Sequence, residues 1–563
     1  MSLPKEHRDE TYRKINEVHK DQIAKWLLEF GYYPEQYVLP PCFSIKGLKL
    51  NTARYKEHNK LNAEELRKIS FPKTDLTERE FAILHPHHYH DIVWELHQNW
   101  DAILAHLFNE ENKIYSYSFP IPPNNIENGK KPLRSGRMIY EFLELAEKDL
   151  VAEAHRFEYV LKLDITNFYP SIYTHTLCWA WEGRDKSDGR KTCGSKIDGS
   201  LLGNRFDKLF QYANDRKTVG LPIGSALSDL MSEFILSERD LKISLQLESD
   251  VEIKGNYIAT RFKDDYRILC SSETVAKKIV RILIEKLKEF NFVVHEGKTK
   301  IIKLPDGLYR PQAVKYEPYS FRNPKNLTPE GKIHFKSFEN VLLKTLEIHR
   351  EYSGTSLIEK FLSELILSKR TKNTEGDNVV NPIADRLLLD FGKQLDNGSK
   401  SRNTKLKKTV SLLFMLKNES PKSVGKVLAI FEHILLFGNE LWFREYLKEQ
   451  IISEIKKSVI HETAFELSWL LYFNCKHEFD IDLKRIYRDL RRDRKIKYDM
   501  SNSQVLRNSF IATLRGKRVG KGNIKNPFEE DLEDITLFTP PFDLDETYLI
   551  EYLDIFDRDN IEE

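Results

Sequence analysis

Glycine is scarce in this chain, 24 of 563 residues, against an average near 7%. That shortage argues against a turn-rich β architecture and for long helices. Cysteine is scarcer still: Cys42, Cys178, Cys193, Cys270 and Cys475. The number is odd and no Cys-x-x-Cys spacing occurs, so the five are read as reduced thiols in a cytosol, not as a disulfide framework or a zinc site. No run of about 18 apolar residues exists, so no membrane-spanning helix is expected. The charged opening, Met1 to Arg8, lacks an apolar stretch, and no signal peptide is expected.

What is present is charge, unevenly spread. The formal net charge is +2, yet Glu529 to Glu563 holds 14 acidic residues and one basic residue. The other 528 residues therefore carry about +15. A basic body suits a protein that holds polyanions. The acidic end reads first as a solvated tail, or else as an internal competitor for the same basic surface.

The length suits about three or four domains of about 150 residues each. Residues 1–156 lean helical, with apolar spacing over Asp21–Phe30 and Asp91–Phe108 and a proline-rich loop from Pro120 to Arg134. Residues 157–330 change to strand, helix, hairpin, helix, strand. Tyr159 to Leu163 reads as a strand, and Glu182 to Asn204 as a surface loop. A hairpin is expected at Tyr257–Phe262 and Tyr266–Cys270, then a helix capped by Ser272, then a strand at Asn291–Val294. That order is a split βαβ sheet with two helices on one face. Residues 331–528 carry helical patterns over 338–352, 356–367, 406–416, 423–437, 441–460 and 463–473, which suit stacked helical pairs. A basic run from Lys484 to Lys497 closes this part; it reads as a solvated helix face or a nucleic-acid contact. Residues 529–563 are the acidic tail.

Two acidic sites lie 100 residues apart: Asp164, ending Tyr-Val-Leu-Lys-Leu-Asp, and Asp264-Asp265, at the tip of the expected hairpin. Carboxylates at strand ends that converge can hold two hard cations, the requirement of phosphoryl or nucleotidyl transfer. Each alone is also ordinary turn chemistry. The cluster His85, His87, His88 and His90 fits no standard zinc spacing and reads as packing with some nucleic-acid contact.

Four blocks in order carry a resemblance. They are Asp164 to Ile172 (Asp-Ile-Thr-Asn-Phe-Tyr-Pro-Ser-Ile), Gly220 to Ser228 (Gly-Leu-Pro-Ile-Gly-Ser-Ala-Leu-Ser), Phe262 to Asp265 (Phe-Lys-Asp-Asp) and Val294 to Thr299 (Val-His-Glu-Gly-Lys-Thr). They are similar to motifs A, B, C and D of a reverse transcriptase palm. With Tyr173-Thr-His-Thr after motif A and the helical second half, the chain resembles the bacterial abortive-infection (Abi-type, AbiK-like) branch of defence-associated reverse transcriptases.

The resemblance implies an α+β fold: fingers and a split βαβ palm, followed by an all-α, HEAT-like repeat domain. It implies a cytoplasmic RNA-directed DNA polymerase of an antiphage system, using dNTPs and two Mg2+ ions (Mn2+ can substitute). Asp164, Asp264 and Asp265, with the Ile165 carbonyl, would hold the metals. Lys298 would donate a proton to pyrophosphate. Tyr169 would exclude ribonucleotides, Gly220 and Gly224 would let the backbone approach the nucleotide, and Arg134 and Arg137, with the weaker candidate Lys131, would grip the triphosphate. RNA, including a dedicated non-coding RNA, a DNA product, protein priming, template-independent synthesis and a homo-oligomer are also implied. Three positions depart from the pattern: Ile223 for glutamine, Lys263 for a small or apolar residue, and His295 for asparagine. Lys263 could meet a primer phosphate or weaken metal binding. An RNA-binding scaffold with a degenerate palm and an RNA-directed RNA polymerase remain open as alternatives.

Overall fold

Apolar spacing becomes helix wherever it repeats over two turns or more. A computed structural model describes residues 2–55, 62–74, 77–122, 136–183, 200–327, 333–366, 369–372, 378–381, 399–438, 441–515, 518–519, 522–523, 526–528, 532, 534–544 and 549–553. Helices α1 (Leu3–Glu17) and α2 (Lys20–Glu29) lead to an antiparallel hairpin, β1 (Arg67–Pro72) with β2 (Glu78–Ile83). The single helix expected over 91–108 is instead two, α3 (Pro86–Gln98) and α4 (Trp100–Leu107). Asn99 divides them, its side-chain Nδ2 donating back to the Glu95 carbonyl at 2.8 Å and competing with the helical ladder.

The central sheet contains β3 (Ile114–Ser116), β4 (Tyr159–Asp164), β5 (Tyr257–Phe262), β6 (Asp265–Cys270) and β7 (Lys300–Lys303). Its order is β3-β5-β6-β4-β7, with β3 parallel to β5 and every other pair antiparallel. Between β3 and β4 runs α5 (Gly136–Glu153). Between β4 and β5 run α6 (Thr176–Glu182), α7 (Leu202–Tyr212) and α8 (Ala226–Ser249), and α9 (Glu273–Lys288) precedes β7. Helices α8 and α9 pack on each other and on the sheet. Ser272 does cap α9, its Oγ accepting from the Val275 amide at 3.3 Å. The strand expected at 291–294 shrinks to one bridge, Ile165 with Val294, because Asn291 turns left-handed (φ 64°) and bends the chain. The pairing strand comes later, at β7. Most of the loop expected over 182–204 lies outside the described residues, and Asn204 belongs to α7.

The second half is helical, as its pattern requires. It contains α10 (Phe335–Glu351), α11 (Leu357–Ile366), α12 (Ser399–Glu419), α13 (Val424–Gly438), α14 (Leu441–Ile460), α15 (Ala464–Lys476) and α16 (Leu483–Arg492). It is not all-α. Lys369–Lys372 pairs with Asn378–Asn381 as a hairpin, whose β-branched Thr371, Val379 and Val380 suit a strand. One apolar core runs from α8 and α9 through this half.

The acidic end corrects the solvated-tail expectation wherever it is described. Thr536 exchanges two backbone hydrogen bonds with Lys46, and the Tyr33 hydroxyl donates to the Leu537 carbonyl at 2.7 Å. Leu532, Ile535, Leu537, Leu549 and Leu553 are buried. The apolar residues between the acids dock the segment as a strap joining the first residues to α13. Of the five cysteines expected as reduced thiols, Cys42, Cys270 and Cys475 are free, and Cys193 lies outside the described residues. Among the described residues no helix is long and apolar enough to cross a membrane.

Candidate active site

The antiparallel register brings the two acidic sites together. Asp164, the last residue of β4, stands directly opposite Asp265, the first residue of β6. The β5–β6 connection is two residues long, Lys263 and Asp264, and Lys263 adopts φ 52° to make the reversal. Asp264 therefore sits at the tip. Its carbonyl accepts from the Ile165 amide at 3.2 Å, so the Ile165 backbone reaches the same point. The third strand connection also arrives here: the His295 amide donates to the Asp164 carbonyl at 2.8 Å. Asp164, Ile165, Asp264, Asp265 and Lys298 are thus one constellation.

Their charges interact. Lys298 Nζ donates to Asp164 Oδ2 at 2.7 Å, and this bond, with the nearby Asp265 and Asp264, raises its ammonium pKa against the opposing burial. Asp264 is shifted upward, chiefly by burial and then by Asp164, with Lys263 and Arg79 opposing. Asp265 opens to cleft water but has protein behind it. Its carboxyl is pushed up to about 7 by desolvation first, then by Asp264 and Asp164. Three crowded carboxylates with too little positive charge are the donor set that a hard divalent cation satisfies. Among the described residues no three acidic, histidine or cysteine side chains already converge as a ready cage; Asp164 is turned to Lys298.

The site opens into a cleft of about 1070 Å³ whose roof is the β1–β2 hairpin. Gly220 faces it with φ 96° and no atom closer than 3.8 Å to where a Cβ would stand. Gly224 lines the cleft as well and is packed tightly. A Cβ there would meet Pro34 at 3.0 Å and Phe81 at 3.3 Å, and its φ of 136° is itself a glycine conformation. Beside it the Ala82 amide donates to the Ile223 carbonyl at 2.9 Å, tying the hairpin to the turn. Tyr169 lines the cleft half-buried, its hydroxyl donating to Asp229 Oδ1 at 2.5 Å. Arg134 and Lys131 lie outside the described residues, and so does the Arg137 side chain, although Arg137 falls within α5.

Several participants escaped the sequence reading. Arg79, exposed on β2, lines the cleft and lies near enough to Asp264 to oppose its upward shift. Asp229 joins Tyr169 to Lys263, whose Nζ stands 3.4 Å from Oδ2, so Lys263 is balanced by a carboxylate beneath the site. Arg261, 1% exposed, binds Glu233 at 2.9 and 3.0 Å, Asp240 at 2.7 Å and the Lys263 carbonyl at 2.9 Å. Glu233 also accepts from Ser116 and Ser118, and the Lys263 amide donates to Ser118. This buried network holds the left-handed tip in place. Its signal was readable: Glu233 and Asp240 are seven apart, on one face of a helix whose Leu230, Met231, Phe234 and Ile235 mark it for burial, and need a cation.

The histidine cluster packs rather than binds. His88 and His90 are fully buried, His87 stacks on Tyr55, and His90 bonds Asp91 and the Asn51 amide. Burial removes His88 and His90 from nucleic-acid contact.

Residues 44–322 match the family model described as "Reverse transcriptase (RNA-dependent DNA polymerase)", and every described site residue falls inside them. The chain thus contains a reverse transcriptase domain. It is 24% identical over 201 residues to the retron Ec73 reverse transcriptase of Escherichia coli, spanning 35% of this chain and 60% of that protein's length. Among solved structures it is similar to the apo telomerase of Candida tropicalis, at 11% identity and TM-score 0.30, covering 67% of this chain and 66% of that one. It is also similar to the Sicinivirus 3Dpol RNA dependent RNA polymerase, at 10% identity and TM-score 0.23, covering 45% and 48%.

Proposed function

We propose that this chain is an RNA-directed DNA polymerase. The observation that carries the reading is the register that sets Asp164 opposite Asp265 with Asp264 at the adjoining tip. Asp164, Asp264, Asp265 and the Ile165 carbonyl would hold two Mg2+ ions. When bound, such ions lower the pKa of an attacking hydroxyl and neutralise a leaving pyrophosphate. Arg79 would hold the triphosphate from the roof by bidentate hydrogen bonds. Gly220 would leave room for the nucleotide, and the Tyr169 ring, fixed by Asp229, would crowd a ribose 2′-hydroxyl and select deoxynucleotides. Lys298 would carry a proton toward the departing phosphate. The helical half would stack as a HEAT-like scaffold. Membership of the abortive-infection branch, antiphage defence, protein priming and a bound RNA partner rest on the four motif blocks and their resemblance.

The test uses purified protein, Mg2+, an RNA template and labelled dNTPs or rNTPs. Wild type is expected to incorporate dNTPs, with Asp264→Asn reduced to background. Equal incorporation by the two proteins, none by either, or preferred incorporation of rNTPs would overturn the proposal.

A further inference from the structure

The basic run at Lys484–Lys497 is not used by the cleft chemistry. Helix α16 exposes Lys484, Arg485, Arg488, Arg491 and Arg492, and Arg494, Lys495 and Lys497 follow it, also exposed. The helix is rigidly seated. Asp482 caps it through the Lys484 and Arg485 amides, and Ile486, Tyr487 and Leu490 are buried beneath it. Two stripes differ in their partners. Arg485 and Arg492 flank Asp489, at 4.0 and 3.5 Å. Lys484, Arg488 and Arg491 form the next stripe and have no ion pair among the described residues. They wall one side of a hollow of about 470 Å³, with Met500 and Asp499 also lining it. Asp499 is the one acid there; Ser501 and the Asn502 amide engage it, and Arg491 stands near enough to help hold its carboxyl below the usual range without forming an ion pair.

Helix energetics do not account for this stripe. Lys484–Arg488 and Arg488–Arg492 are i,i+4 pairs of like charge and Arg488–Arg491 an i,i+3 pair, all of which destabilise a helix. The macrodipole favours cations only at the C-terminal end, so Lys484 in the first turn is opposed by it too. A solvated face of mixed charge would avoid these costs. From Lys484 to Arg491 the stripe is about 10 Å long, the axial span of about three phosphates on one strand.

The stripe is also coupled to the cleft. The Tyr487 hydroxyl bonds Ser503 Oγ at 2.8 Å, and Ser503 caps the turn of helix Gln504–Arg507. Asn508, next in the chain, donates to the Lys68 carbonyl at 2.9 Å, and Lys68 lies on β1 in the cleft roof.

We propose that Lys484, Arg488 and Arg491 contact a phosphodiester backbone, a nucleic-acid anchor outside the polymerase cleft. It stands on charge and geometry at α16 and does not require the polymerase reading.

The test is fluorescence anisotropy of full-length protein with labelled 30-nucleotide single-stranded RNA and DNA, without nucleotides, between 50 and 200 mM salt. The variant Lys484→Gln/Arg488→Gln/Arg491→Gln is compared with Arg13→Gln/Lys25→Gln/Lys277→Gln, which removes the same charge elsewhere. The α16 variant is expected to bind at least tenfold more weakly than the control, with the slope of log K against log salt shallower by about 2, or about 0.7 per lost phosphate contact. The RNA and DNA arms identify which strand is held. Equal affinity and slope for the two triple variants would overturn the proposal. An unchanged thermal midpoint in the α16 variant ties any loss to the surface, and a lowered one transfers the test to single Arg488→Gln, where a slope change of about 0.7 is expected.

Discussion

Replacing Arg261 by methionine should loosen the hairpin that carries Asp264. The guanidinium is 1% exposed and is bonded to Glu233, to Asp240 and to the Lys263 carbonyl. Glu233 and Asp240 are 4% and 0% exposed, so removing the cation strands two buried carboxylates. Breaking a buried pair from one side costs about 3–5 kcal/mol. At about 1.4 kcal/mol per factor of ten, local opening becomes about 10² to 10⁴ times more frequent. Amide hydrogen exchange over residues 257–270 is the direct assay, because it reads the hairpin rather than the whole chain. Adding Asp240→Asn should recover part of the protection, since the second buried charge is then gone. Acceleration of less than tenfold in Arg261→Met would refute the reasoning and show that water or a neighbour replaces the guanidinium.

Two further outcomes follow from other contacts. Asp229→Ala releases the Tyr169 hydroxyl; with a charged hydrogen bond worth about 1.5–3 kcal/mol, deoxynucleotide preference over ribonucleotide should fall about tenfold or more. Tyr169→Ala should fall further, and the double variant no further than Tyr169→Ala; unchanged discrimination in Asp229→Ala would remove Asp229 from sugar selection. His7 stacks on Tyr117 at 4.2 Å, and burial lowers its pKa from 6.5 to about 4. A depressed histidine contributes stability that is complete above its ordinary pKa and lost as pH falls through the folded value. Docking of α1 should therefore weaken from pH 6.5 down to about 4, read as faster proteolysis there, and His7→Phe should flatten that dependence.

Much of the site was legible in the primary order. Asp164 and Asp264-Asp265 end short apolar runs, the turn between β5 and β6 is too short to hide its aspartates, and Ser272 announces a helix start. These are local rules, in which neighbours in sequence set conformation. Elements went wrong where a single distant contact or a backbone turn decided them: the strand at 291–294 gave way to Asn291 and moved to β7, and β3, three residues long, has no periodicity to read. The surroundings of Gly224 and Lys263 were likewise unreadable, because each depends on what stands opposite, Pro34 and Phe81 for one and Asp229 for the other.

The primary order by itself determined the three candidate carboxylates, the strand–helix–hairpin–helix plan of residues 157–330 and the helical second half, since each is written in spacing or in residue type. Only the tertiary structure decided that Asp164 faces Asp265, that Arg261 underpins the tip, that Arg79 overlooks the acids, and that the acidic end is a docked strap. Register and burial come from packing between segments up to several hundred residues apart. Charge counted along the chain could not foresee that Leu537 and Ile535 would outweigh their acidic neighbours once an apolar surface was there to receive them.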